Sequence, residues 1–363
     1  MVPVMGDEPP GQPPGSKWKI AAALIVLIAV AGAVGTVVAI LQRPLKPSPP
    51  RPTPTATPFP FPFPPTPVTG GPVLGFGFSA ADDPATHQVV VFGGVDSYDT
   101  TWLWDGPRWS LARPLVSPPG RFGAAAAYDP VTQVVMLFGG RLAPGQIEND
   151  TWAWSGTNWS EINTGTDGPP AGEGALMAWD DATRQMVLVA PAGMSAGSET
   201  WVWAGNHWVP RPGGDLPMSA FGSGMSFDPV SHTLLLVSAI PPTGAGTSAW
   251  EWGGSSWREL RANIAATTAG VGVALDPPTD RLIFCGTKPG APAAQLWSWS
   301  GVAWAPLVES QLPIQPEAET TDLNHGQLLI FGALTQPNQG SPQPLEVWLW
   351  SGHGWQRLDV GAV

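Results

Sequence analysis

The sequence has few charged residues and a single cysteine, and both shortages exclude classes of protein. Charged side chains make up 12% of the 363 residues, and 28 acidic against 16 basic residues give a formal net charge of −12. An acidic surface repels phosphate backbones, which excludes nucleic acid as a partner. Cys285 has no second cysteine to pair with, so an internal disulfide is excluded. Its apolar surroundings, RLIFCG, predict a buried strand residue.

Helical patterns are missing from most of the chain, whereas glycine (44) and proline (44) are abundant and favour strands and turns. The exception is residues 20–41, a run of 22 uncharged and nearly all apolar positions. As a helix this run would be about 33 Å long, which is enough to cross a bilayer. We predict an uncleaved transmembrane helix here, and a signal peptide cleaved near Ala31-Gly32-Ala33 is the alternative.

Residues 42–72 form a segment rich in proline and threonine, with 13 prolines between positions 44 and 72. Such a segment cannot build a core, and it predicts an extended polyproline II linker of up to ~90 Å. A stiff linker beside a membrane helix would hold residues 73–363 away from the bilayer. We therefore predict a short disordered cytoplasmic N-terminus (1–19) and an extracytoplasmic C-terminal domain. A PxxP ligand for a partner domain is the alternative use of the linker.

The domain 73–363 contains six copies of the motif W-x-W-x-G-x-x-W, which use 18 of the 20 tryptophans. The first tryptophan of the motif recurs at intervals of 50, 49, 49, 47 and 51 residues. A period near 50 is typical of one blade of a β-propeller. The tryptophans of the motif are Trp102, Trp104, Trp109, Trp152, Trp154, Trp159, Trp201, Trp203, Trp208, Trp250, Trp252, Trp257, Trp297, Trp299, Trp304, Trp348, Trp350 and Trp355.

Each copy follows an apolar strand, a tight turn that begins with aspartate, and a second strand that is apolar throughout. The turns read DPAT, DPVT, DDAT, DPVS, DPPT and DLNH, and aspartate caps such turns more often than it binds calcium. We label the four predicted strands of a repeat a, b, c and d, with the tryptophans on c and d. Because alternate strand residues share a face, Trp152 and Trp154 point the same way, and Trp159 joins them across a hairpin.

This geometry predicts three rings on one face of every sheet, packed between neighbouring sheets as a core. The alternative, a set of sugar-stacking platforms, is disfavoured because a ligand site does not need the same three rings six times. The stretch FGGRLAPGQIENDTWAWSGTNW resembles a kelch repeat, with Gly139-Gly140, Asn149-Asp150, Trp152 and Trp159 at the positions that define it.

The resemblance to kelch-repeat propellers, including galactose-oxidase-like propeller domains, covers residues 73–363. It implies an all-β, six-bladed kelch-like β-propeller of four-stranded antiparallel blades, and a hidden seventh blade is the alternative. The glycine pair survives only at 93–94 and 139–140, which departs from the family pattern. The repeats begin at strand a and end at strand d, so no strand is visibly left to join the last blade to the first.

Residues for catalysis are hard to find. The resembling family includes copper oxidases, which use tyrosine and histidine ligands and a cross-linked cysteine. Here the only tyrosines are Tyr98 and Tyr128, and Cys285 is predicted to be buried. The five histidines are spread over the turns of four blades, and GMSAG is not followed by the helix that a nucleophile elbow needs. We predict a protein that is not an enzyme and has no metal and no cofactor.

The loops predict where a ligand binds. The a–b and c–d turns are short and uniform and share one face of a propeller, here called the turn face. The b–c loops and d-to-a connections are long and varied and share the opposite face, here called the variable face, where ligands bind more often. The residues predicted to bind a ligand there are Tyr98, Asp99, Arg113, Arg121, Arg141 and Glu148.

We predict a membrane-anchored extracytoplasmic module that binds a protein or a glycan. Two alternatives stay open. One is an enzyme that acts on carbohydrate or cell-envelope material with a galactose-oxidase-like fold but no copper site. The other is a structural spacer that binds no ligand.

Overall fold

A computed structural model describes residues 63–67, 72, 76–95, 99–106, 108–143, 145–191, 197–212, 216, 222–238, 247–264, 269–287, 294–307, 312, 314–334, 346–350 and 354–358. The predicted N-terminus (1–19), the predicted transmembrane helix (20–41) and most of the predicted linker (42–72) lie outside these residues. Within the described part of the chain, no helix has the length and the apolar character that a membrane crossing requires.

The described chain is all β. In chain order the strands are β1 (Phe63–Pro67), β2 (Ser79–Asp83), β3 (Gln88–Phe92), β4 (Thr101–Trp104), β5 (Trp109–Arg113), β6 (Arg121–Phe122), β7 (Ala125–Asp129), β8 (Val134–Leu142), β9 (Ile147–Trp154), β10 (Trp159–Asn163), β11 (Leu176–Asp180), β12 (Gln185–Pro191), β13 (Ser198–Trp203), β14 (Trp208–Arg211), β15 (Ser223–Asp228), β16 (Thr233–Ser238), β17 (Thr247–Trp252), β18 (Trp257–Ile264), β19 (Ala269–Asp276), β20 (Arg281–Thr287), β21 (Ala294–Trp299), β22 (Trp304–Pro306), β23 (Ile314–Asp322), β24 (Gln327–Leu334), β25 (Glu346–Trp350) and β26 (Trp355–Leu358).

These strands form six antiparallel sheets, which confirms a six-bladed propeller of four-stranded blades. Blades 1 to 6 begin with β2, β6, β11, β15, β19 and β23, and each blade runs a, b, c, d in chain order. Blade 2 differs slightly, because both β6 and β7 pair with β8 and together act as its strand a. The a strands of neighbouring blades contact one another, including β2 with β23, so they surround the axis.

Blade 1 carries a fifth strand that comes from the predicted linker. Strand β1 pairs antiparallel with the outer strand β5, with Phe63 opposite Arg113 and Pro67 opposite Ser110. The register shifts between Phe63 and Thr66, across two prolines that have no N–H to give to a ladder. Proline is tolerated at the edge of a sheet for this reason. Residues 63–67 therefore belong to the sheet, although the sequence pattern assigns them to the extended linker.

The turn aspartates cap their own turns, as predicted. In blade 2, Oδ1 of Asp129 accepts a hydrogen bond from the Val131 N–H (2.9 Å), and Oδ2 accepts one from the Thr132 hydroxyl (2.6 Å). The last residue of this turn, Gln133, has a φ of 58°, in the left-handed region. The c–d turn of blade 2 lies beside the a–b turn of blade 1, since a Cβ at Gly156 would be 2.7 Å from Thr86 Cγ2. The two kinds of turn thus share a face.

The predicted three-ring clusters are present in all six blades. In blade 2 the rings of Trp154 and Trp159 are 5.4 Å apart, and Trp152 belongs to the same cluster. This cluster packs on the apolar side chains of blade 1. Every other blade places its tryptophans against the preceding blade in the same way. The tryptophans are therefore the core between blades, as predicted.

The ring closes through the same contact. The rings of Trp104 and Trp109 in blade 1 pack on Leu329, Phe331 and Val347 of blade 6, and 5.9 Å separates the ring centres of Trp109 and Phe331. The six-bladed arrangement thus needs no extra strand between the first and last blades, because the interface between blades 6 and 1 repeats the other five.

Candidate binding site on the variable face

The loops of blades 1 and 2 are fixed by a buried ion pair beneath the variable face. Arg121 is 0% exposed, and its guanidinium binds Asp150 with both end nitrogens, at 2.5 and 2.9 Å. It also donates hydrogen bonds to the carbonyl oxygens of Gly139 and Pro119, each at 2.9 Å. A buried side chain with these partners is not available to a ligand. Arg121 is therefore a structural residue and leaves the predicted ligand-binding set.

The same network reaches from blade 2 towards blade 3. Asp150 also accepts a hydrogen bond from the indole N–H of Trp152 (2.7 Å), two positions further along β9. The side-chain amide of Asn149 donates to the carbonyl oxygens of Gly165 and Pro169 at 2.9 and 3.0 Å. The b–c hairpin of blade 2 and the connection that follows β10 are thereby held together. A surface fixed in this way loses little conformational entropy on binding.

An aromatic pair lies above this network. Phe76 precedes β2, and its ring meets that of Phe122 edge to face with 5.8 Å between ring centres. The two loops are joined by a hydrogen bond from the Gly123 N–H to the Gly77 carbonyl (2.6 Å). Phe76 is 49% exposed, so part of this large apolar residue is accessible on the variable face.

An ion pair adjoins the two rings. Arg141 stands opposite Phe122 in the pairing of β6 with β8, and its Nε lies 2.6 Å from Oε2 of Glu173. A Cβ at Gly123 would be 2.7 Å from Glu173 Cγ, so Glu173 also borders the loop that carries Phe122. The Arg141 side chain is 34% exposed and that of Glu173 is 13% exposed. We call Phe76, Phe122, Arg141 and Glu173 the Phe76 site.

This combination suits a ligand with an apolar face and hydroxyl groups. An exposed ring offers a flat surface for apolar contact, and a guanidinium beside a carboxylate offers donors and acceptors side by side. A few oriented polar groups beside an aromatic surface are the usual composition of a small-molecule site.

The other residues of the predicted set lie elsewhere. Asp99 is exposed in the b–c loop of blade 1, and Arg113 is exposed at the end of β5. Glu148 is half-buried and accepts a hydrogen bond from the Gln146 amide (2.6 Å). Tyr98 lies outside the described residues. Of the five predicted residues that the structure describes, Arg141 alone belongs to the Phe76 site.

Sequence reasoning missed Phe76, Phe122 and Glu173. One signal was available in the sequence. The tryptophans account for the aromatic residues of the repeat, whereas the two phenylalanines lie at the edges of strands and are not part of the repeat. Within the described residues, no three or more histidine, cysteine, aspartate or glutamate side chains are grouped to hold a metal ion.

No protein-family model matches the chain, and no curated protein sequence matches it either. Solved structures do resemble it. The fucose-specific lectin from Aleuria aurantia aligns with a TM-score of 0.57 at 14% identity, covering 82% of this chain and 99% of the lectin. The SapL1 lectin, solved with alpha methyl fucoside, aligns with a TM-score of 0.57 at 13% identity, covering 80% and 97%.

A propeller enzyme is also similar. The soluble aldose sugar dehydrogenase from Escherichia coli aligns with a TM-score of 0.51 at 12% identity, covering 78% of this chain and 99% of the enzyme. At these identities the likenesses show the shared fold and nothing finer.

Proposed function

We propose that this protein is a membrane-anchored extracytoplasmic propeller that binds a glycan at the Phe76 site. The observation that carries the proposal is the half-exposed Phe76 beside the Arg141–Glu173 pair, on loops held by the buried Arg121–Asp150 pair. The similar structures include a fucose-specific lectin and a lectin solved with alpha methyl fucoside, which supports a sugar as the ligand class. Kinship with kelch-repeat propellers is part of the same proposal.

The contacts indicate how a sugar would bind. The apolar C–H face of a pyranose ring would lie on Phe76, whose desolvation supplies much of the affinity. The Arg141 guanidinium would donate to a hydroxyl oxygen, and a free lone pair of Glu173 would accept from the neighbouring hydroxyl. A protein partner that uses the same face is the competing candidate.

A glycan array with the full chain in detergent micelles tests the proposal. We expect retention of a defined group of glycans, followed by measurable binding of the best glycan in calorimetry. Phe76→Ala and Arg141→Ala should each weaken this binding about tenfold or more, since each removes roughly 1.4 kcal/mol or more of contact. The matched control is Leu115→Ala, because Leu115 is a 44% exposed apolar residue of the connection between β5 and β6.

Three outcomes would contradict the proposal. The first is an array on which no glycan is retained. The second is equal binding by the wild type, both site variants and the control. The third is turnover of the bound sugar, detected by mass spectrometry, which would favour the enzyme alternative.

The proposed topology has its own test. In intact cells, a protease added outside should digest the propeller, with an epitope tag at the C-terminus reporting its loss. A tag that survives in intact cells and is digested only after lysis would overturn the extracytoplasmic placement. The outcome is independent of the glycan measurement.

A further inference from the structure

The accessible apolar surface of the variable face continues beyond Phe76 onto the b–c hairpin of blade 2. Ile147, the first residue of β9, is 37% exposed. It lies directly opposite Arg141 in the pairing of β9 with β8, and Arg141 lies directly opposite Phe122 in the pairing of β8 with β6. Directly opposite residues share a face of a sheet, with about 4.5–5.5 Å between their Cβ atoms. Phe122, Arg141 and Ile147 therefore form one row across three strands, with the guanidinium between two apolar residues.

Two polar contacts fix this face of the hairpin against the connection 164–175, which joins β10 to β11. Asn149 shares a face with Ile147 because it lies two positions further along β9, and its amide donates to two carbonyl oxygens of the connection at 2.9 and 3.0 Å. Arg141, the neighbour of Ile147 across the hairpin, binds Glu173 of the same connection at 2.6 Å. Ile147 thus lies between two anchored polar side chains and is itself accessible.

The hairpin around Ile147 is closed and preorganised. At its tip, the Leu142 N–H donates to the Gln146 carbonyl at 2.7 Å. The residues on either side of Ile147 in the sequence, Gln146 and Glu148, point to the other face of β9 and bind each other at 2.6 Å. A surface held in this way loses little conformational entropy when a ligand binds.

The length of this surface indicates the size of the ligand. The rings of Phe76 and Phe122 have centres 5.8 Å apart, and two further strand spacings of about 4.8 Å each separate Phe122 from Ile147. One sugar ring is only about as wide as a single strand spacing. A single sugar can therefore contact one apolar end of the surface, whereas a ligand that contacts both ends needs more than one ring.

We propose that the variable face binds an oligosaccharide of at least two residues, with one sugar ring against Phe76 and another against Ile147. This inference rests on the proposed glycan function and deepens it. The side chain of Ile147 has no hydrogen-bond donor or acceptor, so it suits the apolar C–H face or a methyl group of the second sugar. Arg141 and Glu173 lie between the two apolar contacts, where they suit the hydroxyl groups of the sugars.

Calorimetry on the full chain in detergent micelles tests this inference. The probes are the glycan retained best on the array and the methyl glycosides of its component sugars. The wild type should bind the intact glycan at least about tenfold more tightly than any of the methyl glycosides, because only the glycan contacts both Phe76 and Ile147.

The variant Ile147→Ala should weaken binding of the intact glycan by about three- to tenfold, because it removes the apolar contact of the second sugar. Binding of a methyl glycoside at Phe76 should stay unchanged in this variant, whereas Phe76→Ala should weaken the binding of both ligands. The matched control is Val131→Ala, which shortens an exposed aliphatic residue on the turn face and should change neither affinity.

A methyl glycoside that binds the wild type as tightly as the intact glycan does would overturn the inference. Unchanged binding of the glycan by Ile147→Ala would overturn it as well. An equal loss of glycan and glycoside binding in Ile147→Ala would place Ile147 and Phe76 against the same sugar, which also contradicts two separate contacts. A wild type that binds no glycan at all is a different result, because it refutes the proposed function itself.

Discussion

The indole N–H of Trp159 donates a hydrogen bond to Oγ1 of Thr101 across the interface between blades 2 and 1, at 2.9 Å. The last tryptophan of one blade thereby reaches the threonine that precedes the first tryptophan of the blade before it. The same bond forms at the next two interfaces, between Trp208 and Thr151 and between Trp257 and Thr200, each at 2.9 Å.

The remaining three interfaces lack this threonine. The residues at its position are Ala249, Leu296 and Val347. Across from them, the indole nitrogens of Trp304, Trp355 and Trp109 are buried without a hydrogen-bond partner in the described part of the chain. The residue before W-x-W therefore determines whether the indole N–H of the last tryptophan in the next blade has a hydrogen-bond acceptor.

Exchanging valine and threonine at this position should change stability in opposite directions. Thr151→Val leaves the buried Trp208 N–H without an acceptor and should lower the free energy of unfolding by about 1–2 kcal/mol. Val347→Thr gives Trp109 an acceptor with little change in shape and should raise it by roughly 1 kcal/mol. Denaturant unfolding measures both, and Thr157→Val at an exposed turn position is the control. Equal effects of all three variants would show that the bond contributes nothing.

The parts of the fold that repeat could be predicted from the sequence, because each repeat is built from contacts between nearby residues. The strand order within a blade and the phase of the tryptophans follow from the pairing of Trp154 with Trp159 across a short turn. Turn capping by Asp129 is equally local. Six copies made these local patterns unmistakable.

The binding site could not be predicted in the same way, because it depends on contacts between residues that are far apart in the sequence. Arg121 pairs with Asp150, 29 positions away, and Arg141 pairs with Glu173, 32 positions away. In sequence both arginines look like polar loop residues beside a strand. Which of them is buried depends on how the connections pack, and one sequence carries no signal of that packing.

Replacing each of the two arginines by alanine should affect a different property. The Arg121 variant should lose mainly stability, and the Arg141 variant should lose mainly glycan binding. Arg121→Ala leaves the Asp150 carboxylate buried without its partner and should lower the free energy of unfolding by about 3–5 kcal/mol. Arg141→Ala removes a pair that is partly exposed and should cost less than about 1 kcal/mol while weakening glycan binding. Unfolding curves and calorimetry on both variants separate the roles. A stable Arg121→Ala protein that has lost glycan binding would restore Arg121 to the ligand site.

The last residue of the a–b turn offers a test of backbone strain. Gln133 is exposed and holds a left-handed φ of 58°, whereas the equivalent residue of blade 6 is Gly326, with a φ of 62°. Gln133→Gly should raise the free energy of unfolding by about 0.5–1 kcal/mol, since glycine adopts this conformation without strain. Gly326→Ala should lower it by roughly 1 kcal/mol, because a Cβ there meets no neighbouring atom and only the backbone is strained. Changes of the same sign would refute the argument.

The interface between blades 6 and 1 contains a carboxyl group where the other blades have none. Asp82 precedes the turn aspartate of blade 1, at the position that holds Tyr128 in blade 2 and Phe227 in blade 4. Burial, followed by the charge of Asp322 in blade 6, raises the pKa of Asp82 to about 7. The backbone N–H of Leu323, 3.4 Å from Oδ2 of Asp82, opposes this shift only in part.

The elevated pKa makes stability depend on pH in a defined window. Because the folded protein holds the Asp82 proton more tightly than the unfolded chain does, the stabilisation is complete below about pH 4 and is lost as pH rises through 7. The loss is at most about 4 kcal/mol, because the pKa of Asp82 is raised by roughly three units and each unit corresponds to 1.36 kcal/mol.

The variant Asp82→Asn tests this argument, because the asparagine side chain is uncharged at every pH. It should remove the loss, so that the unfolding free energy of the variant exceeds that of the wild type above pH 7. Denaturant unfolding from pH 4 to 8 measures the difference, with Asp99→Asn as the exposed control. Parallel curves for the wild type and Asp82→Asn would mean that Asp82 titrates as it does in the unfolded chain.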